Sequence, residues 1–432
     1  MSKAIHIALS ILVALIGVGV ASATEKVSEL LTRGAEIEAV RVHPSIWLAS
    51  GNSNAYLVET KDGVVLIDTG IVSQAGKTHE ALSERAGNRP LRTLVFTHAH
   101  EDHVSGAAPW LAESPVIIAH RDFPLRQQYF AMLAEYKARR AGVLWAGVMS
   151  EADAQIPVPS ITPNVLVDDL HVFEVGGLRF EVHATPGAEG PDAVSVWIPE
   201  WKVLFAGDAL GPTRAAFPNL FTLRGENLRE SIPLLDSIER MQALGAELLL
   251  PGHFEPLAGG AEIQSTLQRT SDAVRYVHDE TIAGMNAGKD VWTLMREVTL
   301  PPELALSEEY GRVAWGVRAI YELHTGWFRY ESTTELFEVP ARAVYPELAR
   351  LAGGAAAVAA SAIARVEAGD ALEALHLAEV ALAADPGSRP ALQAQLDALE
   401  ILARQDAGAN FQVAGWLRHR IGAVKARLGA ID

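Results

Sequence analysis

The stretch Thr97–Gly106, THAHEDHVSG, places His98, His100, Glu101, Asp102 and His103 within six consecutive positions. It follows directly on an apolar run, Leu91–Phe96 (LRTLVF), whose composition predicts a buried strand. Imidazoles and carboxylates crowded at the end of a buried strand are costly to take out of water unless something compensates them. A metal ion is the simplest compensation, and a solvated surface loop is the alternative. His98 and His100 flank Ala99 and can point to one ion, while Asp102 and His103 lie on the following turn and can point to a second. An H-x-H-x-D-H pattern at the C-terminal end of a strand, where functional loops of layered α/β proteins commonly lie, favours the metal.

Working outward, the neighbouring pattern alternates between strands and helices. Upstream, Ser45–Ser50, Asn54–Thr60 and Val64–Gly70 predict strands, the last two joined by a turn at Asp62-Gly63. Residues 74–87 predict a helix, and amphipathic helices are expected after the His cluster as far as about Arg140. A Pro-containing loop at 156–164 precedes a second β region. That region comprises His171–Thr185 with a turn at Gly176-Gly177, then Ala193–Pro199 and Lys202–Asp208. A helix is expected near 225–245, then a short strand at Glu247–His253. Two β-rich halves with helices outside imply an α/β fold, an αββα sandwich of two sheets. From about residue 261 to Asp432 the strand signals stop and the sequence turns Ala- and Leu-rich, which predicts an all-helical second domain. One helix-turn-helix repeat is visible at Gly369–Gln395; stacked repeats need about three copies, so it is read as part of a bundle.

The bulk properties narrow the classes. A chain of 432 residues, 49% hydrophobic and 21% charged, is of ordinary globular composition and long enough for two domains. A formal net charge of −17 argues against a nucleic-acid partner, which needs clustered Lys and Arg. There is no cysteine, so a thiol nucleophile and any Cys-ligated metal are excluded. Residues 1–23 combine Lys3, an apolar stretch, and Ala21 and Ala23 in an A-x-A pattern, which predicts a cleaved secretory signal; a retained membrane anchor is the alternative. Export, to a bacterial periplasm, fits the absence of disulfides, and the catalytic domain then runs from 24 to 260.

Four segments in order resemble the metallo-β-lactamase superfamily: LIDTG (Leu66–Gly70), the His cluster, FAGD (Phe205–Asp208) and PGHFEP (Pro251–Pro256). One departure points to a branch. Where most members carry a ligand His after Thr-Pro-Gly, this chain has ATPGAEGPD (Ala184–Asp192), with Ala188 in that place and Glu189 next, a form similar to the alkyl sulfatases. NLFTLRGENLRE (Asn219–Glu230), YGRVAWGVRAIYELHTGWF (Tyr310–Phe328) and GDALEALHLAEVALAADP (Gly369–Pro386) resemble further segments of that branch, the latter two in its helical dimerisation domain.

The resemblance implies two zinc ions per chain. His98, His100 and Glu189 would hold the first, and Asp102, His103 and His253 the second, with Asp208 bridging. Such a pair makes hydroxide available near neutral pH. Asp102 and Asp208 are the carboxylates implied as catalytic, and Asn219 and Arg224 would bind a sulfate group, Arg224 through its planar fork. Asp68 is expected either to orient a ligand by a hydrogen bond or to cap its turn. Glu101 matches no ligand position and is expected on the solvent side. His183 is expected to be packed in its strand, and Tyr310, Trp315, Tyr321 and Trp327 are read as core or interface.

The implied function is hydrolysis of an anionic sulfate ester by an exported dinuclear zinc enzyme that dimerises. The rivals are a lactam, lactone or phosphate-ester hydrolase on the same site, and a metal-binding scaffold without turnover. Manganese or iron would suit the same imidazole and oxygen donors. In the family a third, sterol-carrier-like domain usually follows, whereas this sequence stops at Asp432. The segment before Thr185 is also shortened. Both departures weigh against long-chain alkyl substrates.

Overall fold

The computed structural model describes residues 36–145, 160–187, 189–211 and 216–431; the expected signal segment 1–23 and Ala188 lie outside them. Two sheets face each other. The first has seven strands in chain order, β1 (Ala39–His43), β2 (Ile46–Ser50), β3 (Asn54–Thr60), β4 (Gly63–Ile67), β5 (Leu91–Val95), β6 (Val116–His120) and β7 (Val165–Val167). It is antiparallel from β1 to β4 and parallel from β4 to β7. The second contains β8 (Leu170–Val175), β9 (Leu178–Ala184), β10 (Val194–Ile198), β11 (Val203–Gly207), β12 (Leu248–Pro251) and β13 (Leu257–Ala258). Its strands are antiparallel except for the parallel pair β11–β12.

The layering follows from side-chain alternation along the central strands. In β4, Val65 and Ile67 enter the inter-sheet core with Val95, Phe180, Val196 and Phe205, while Val64 and Leu66 face outward onto Leu82, Trp110 and Phe123 of the helical layer. In β11, Val203 and Phe205 point inward, and Leu204 points out onto Leu234, Ile238 and Met241 of the helix Ser231–Leu244. Both faces of these strands are covered, which is why they read as unbroken apolar runs rather than as alternating ones. The result is the expected α/β sandwich of two sheets with helices on the outer faces.

The strands β1, β6 and β7 escaped the sequence reading. β6, VIIAH, is five residues long and lies where only helices were expected; it pairs in parallel with β5, a non-local contact without a hairpin turn to announce it. The helices Phe123–Met132 and Ala134–Leu144 follow it.

Beyond residue 260 no strand occurs among the described residues. The change in composition there is not a break in packing. Ile263, Leu267, Val274 and Val277 of the helix Gly260–Asn286, with Val313, Val317 and Ile320 of the helix Val313–Thr325, share one core with Leu204 and Leu249 of the second sheet. The helices Ala355–Ala368, Ala371–Ala384, Arg389–Asp406 and Phe411–Gly429 then pack each on the next. Buried alanines (Ala359, Ala362, Ala378, Ala381, Ala391, Ala394) line those contacts.

The last helix returns to the first domain. Phe411 meets Trp145 and Tyr310, and Gly415 lies so close to the end of the helix Ala134–Leu144 that a Cβ would come 2.5 Å from the Leu144 carbonyl oxygen. No single described helix is long and apolar enough to cross a membrane. Phe205 lies fully buried between the sheets, edge-on to Tyr56. Phe205→Ala should therefore lower unfolding stability by about 3–5 kcal/mol in a denaturant titration.

Candidate metal centre

The site forms where the strands of both sheets end. Asp68 follows β4, the His cluster follows β5, Thr185–Asp192 follows β9, Asp208 follows β11, and His253 follows β12. Two glycines allow the strand ends to close on each other. Gly207 has φ +51°, a left-handed value that L side chains adopt reluctantly, and a Cβ there would come 2.7 Å from Thr97 Cβ. At Gly252 a Cβ would come 2.0 Å from Asp208 Oδ1 and 2.8 Å from His103 Cε1, so the backbone itself forms the floor of the centre.

All seven expected ligands are brought together. His98 Nε2 is 2.8 Å from His100 Nδ1, which is 3.4 Å from Glu189 Oε2. His103 Nε2 is 3.6 Å from Asp102 Oδ2 and 3.5 Å from Asp208 Oδ2, and His253 Nε2 is 3.3 and 3.2 Å from the same two atoms. Donor atoms of His98, His103 and Asp208, and likewise of Asp102, His103 and His253, lie within 4.8 Å of one another. Asp208 thus belongs with both halves. Glu101 faces solvent.

Hydrogen bonds aim the rings. Asp68 accepts from the Thr97 amide at 2.8 Å and the Thr97 hydroxyl at 2.7 Å, and its Oδ2 is 2.8 Å from His103 Nδ1. It therefore orients His103, the first of the two roles expected of it, and ties β4 to the end of β5 in place of capping its own turn. His253 Nδ1 meets the Asn52 carbonyl at 2.7 Å, which turns its Nε2 toward the carboxylates. Asp192, which the sequence reading passed over, accepts from the Ala99 amide at 2.8 Å between the two histidines.

The residues fit a divalent cation on their own chemistry. His103 Nε2 and Asp208 Oδ1 are buried without any hydrogen-bond partner, a costly arrangement for a ring nitrogen and a carboxylate oxygen unless an ion engages them. Burial disfavours charge on His103, yet Asp208, Asp102 and Asp68 outweigh it and push its pKa well up. His253 is likewise pushed up to about 10, the effect of burial being overcome chiefly by Asp208 and Asp102. The cluster demands positive charge. His98 and His100 behave oppositely: burial holds His98 well below its usual value and His100 down to about 4, leaving neutral rings with lone pairs to donate.

Beside this centre lies a buried cationic group. Arg224 donates from Nε to Glu226 at 2.8 Å, and its terminal nitrogen lies 3.4 Å from His100 Nε2 and 3.7 Å from Glu189 Oε2. Arg229 donates to Glu189 at 2.7 Å, to the Asn219 carbonyl at 3.1 Å and to Glu226 at 3.2 Å. Both polar atoms of the buried Asn219 amide lack partners. Of the expected pair, Arg224 therefore lies at the edge of the centre, and Asn219 joins it through its backbone carbonyl, which takes Arg229.

Glu226 and Arg229 went unread although they stand in the same segment, because only the resemblance singled out residues there. Arg126 and Lys137 come from helices whose charges read as solvated faces. Tyr310, expected in a core or interface, is buried there, and its hydroxyl also approaches Glu189 Oε2 at 3.5 Å. His183 is packed in β9 beside Glu181, as expected.

Two outcomes follow. Asp68→Asn should weaken divalent-ion binding by about 10- to 100-fold in a chelator competition titration. Because the surrounding carboxylates push His103 and His253 toward their protonated forms and both rings must lose a proton to ligate, metal uptake near pH 7 should release protons, read from the buffer dependence of the binding heat. Affinity should accordingly fall as pH is lowered.

Comparison with known proteins agrees with this geometry. Residues 49–253 match the metallo-β-lactamase superfamily and residues 292–414 match the alkyl sulfatase dimerisation domain. A linear primary-alkylsulfatase of a Pseudomonas species is 26% identical over 325 residues, 69% of this chain and 60% of that protein. An (R)-specific secondary-alkylsulfatase of Pseudomonas is 26% identical over 400 residues, 85% of this chain and 60% of that protein. The chain thus spans about 60% of the length of these curated relatives. The solved structure of a stereoselective inverting sec-alkylsulfatase from Pseudomonas superposes with a TM-score of 0.77 at 26% identity, covering 91% of this chain and 66% of that one. A sandwich closed around such a centre and continued by that helical region is a metallo-β-lactamase domain followed by an alkyl sulfatase dimerisation domain.

Proposed function

We propose that this chain is a metal-dependent hydrolase of anionic esters, with sulfate monoesters as the favoured class. The observation that carries the reading is the adjacency of a buried histidine–carboxylate centre, holding unsatisfied donor atoms, to the Arg224 guanidinium 3.7 Å from Glu189. His98, His100 and Glu189 would hold one ion and Asp102, His103 and His253 a second, with Asp208 shared. Zinc suits this nitrogen and oxygen set, as manganese or iron would. When bound, such ions supply Lewis acidity and lower the pKa of coordinated water.

The chain's own residues do the rest. Arg224 offers its terminal nitrogen to an ester oxyanion, while Glu226 fixes its Nε. The Asn219 amide offers the two N–H donors of its Nδ2 and the acceptor Oδ1. Asp208 keeps the two halves of the centre in register, because it is within ion-pair distance of His103 and His253 and grouped with His98. The net reaction consumes water and yields an alcohol, sulfate and a proton. Support for the sulfate class comes from the named activities of the relatives.

The dimerisation domain supports a homodimer, with Trp327, Tyr330, Phe337, Val339 and Leu351 as exposed apolar residues available for its interface. Export through the N-terminal segment and action in a periplasm complete the reading.

The test is sulfate release from short and long alkyl sulfates by the metal-loaded protein, with a chelator control. Chelator-sensitive release is the expected result. Metal-loaded protein inert toward sulfate esters but active on lactams, lactones or phosphate esters would overturn the substrate class. Asp208→Ala should lose turnover by at least about 1,000-fold with the fold intact by circular dichroism; unchanged turnover would sink the mechanism.

A further inference from the structure

Glu226 is not one of the converging ligands, yet it is among the most heavily partnered carboxylates of the site. Its side chain is 1% exposed. Arg224 Nε reaches it at 2.8 Å, Lys137 Nζ at 3.2 Å and Arg229 at 3.2 Å, with Arg126 at 3.9 Å and His100 Nε2 at 3.4 Å. The Phe130 ring roofs the group. Lys137 Nζ lies 3.7 Å and Arg126 Cζ 4.8 Å from its centre, and the His100 ring packs at 5.5 Å. Four cationic side chains therefore share one buried carboxylate at the anion-seeking rim of the centre.

The remaining carboxylates nearby are committed elsewhere. Asp192 takes the Ala99 amide and faces Arg126 Nε at 3.7 Å, and Glu189 takes Arg229 at 2.7 Å and stands farther, 3.7 Å, from Arg224. Glu226 is thus the main internal charge opposing Arg224 and Lys137. It is a fixed charge beside the place where Arg224 meets the centre.

We propose that Glu226 is a built-in counter-anion that offsets the surrounding cations and so shifts this pocket's selectivity away from doubly charged phosphate monoesters and toward singly charged sulfate monoesters. The proposal rests on the anionic-ester reading above and adds a basis for selection within it. Sulfate and phosphate monoesters share a tetrahedral shape, so steric fit separates them poorly. The repulsion from a fixed carboxylate doubles when the ligand's charge doubles, so it discriminates where shape does not. A neutral residue at 226 would leave the same cations to welcome a dianion.

The experiment compares two sulfates that differ in charge. Methyl sulfate (one negative charge) and inorganic sulfate (two) are titrated calorimetrically into metal-free and metal-loaded protein, using the unaltered chain and Glu226→Gln. The substitution keeps size and an acceptor oxygen for Arg224 but removes the charge. Affinity for inorganic sulfate should rise roughly tenfold more than affinity for methyl sulfate. Lys137→Met, on a helix with its side chain 21% exposed, removes an opposing cation and should move the ratio the other way; it also carries the test should Glu226→Gln fail to fold.

An unchanged ratio in either folded variant overturns the proposal. So does a parallel loss of affinity for both anions in Glu226→Gln, the signature of a residue that merely holds Arg224 in place. If neither anion binds any form, the anionic-ester reading itself falls and this proposal with it. Binding with an unaltered ratio removes only the role of Glu226.

Discussion

The Asp68 carboxylate is the contact on which the centre depends. It leaves β4 in a left-handed conformation (φ 56°) that Asp tolerates better than most residues. There it accepts two hydrogen bonds from Thr97 and faces His103. One side chain thereby sets the distance between two strand ends, anchors through Thr97 the start of the loop that carries the histidines, and fixes which nitrogen of His103 faces Asp102 and Asp208. The glycines at 207 and 252 serve the same end from the other sheet by letting backbone approach where any side chain would collide.

The surrounding electrostatics follow from that geometry. Carboxylates and imidazoles that would be ruinous if buried singly are assembled in two regions with different appetites. Around Asp102, Asp208 and His253 the excess is negative, and the imidazoles are drawn toward their protonated forms. Around Arg224, Arg229 and Lys137 it is positive, and Glu226 is held well below the usual carboxylate range because Arg224 foremost, then His100 and Arg229, outweigh the effect of its burial. A cation-seeking hollow and an anion-seeking rim meet at His100 and Glu189.

The sandwich and the convergence of the candidate ligands were legible because local signals carry them. Apolar runs ended by Asp68, the His cluster, Asp208 and His253 announce strand ends bearing polar groups, and the spacing of His98, His100, Asp102 and His103 is dense enough to stand out. Their convergence with Glu189 came from resemblance, since nothing in spacing alone links segments so far apart. β6 and β7 were missed because short parallel strands have no turn of their own. Arg126, Lys137, Asp192 and Glu226 were missed for a related reason. Each is an ordinary charged residue locally, and only the tertiary fold removes it from water and gives it a partner.

The packing of Phe411 against Tyr310, whose hydroxyl approaches Glu189, has a consequence for biosynthesis. Glu189 belongs to the middle of the chain, Tyr310 to its third quarter and Phe411 to its last helix. The wall behind the centre is therefore assembled from segments that emerge at widely separated times. A growing chain can form both sheets and gather its histidines well before Phe411 exists, but until then Tyr310 lacks its stacking partner. Maturation of the centre is coupled to completion of the helical domain, so a chain truncated before the final helix would carry every proposed ligand and still present an unfinished wall.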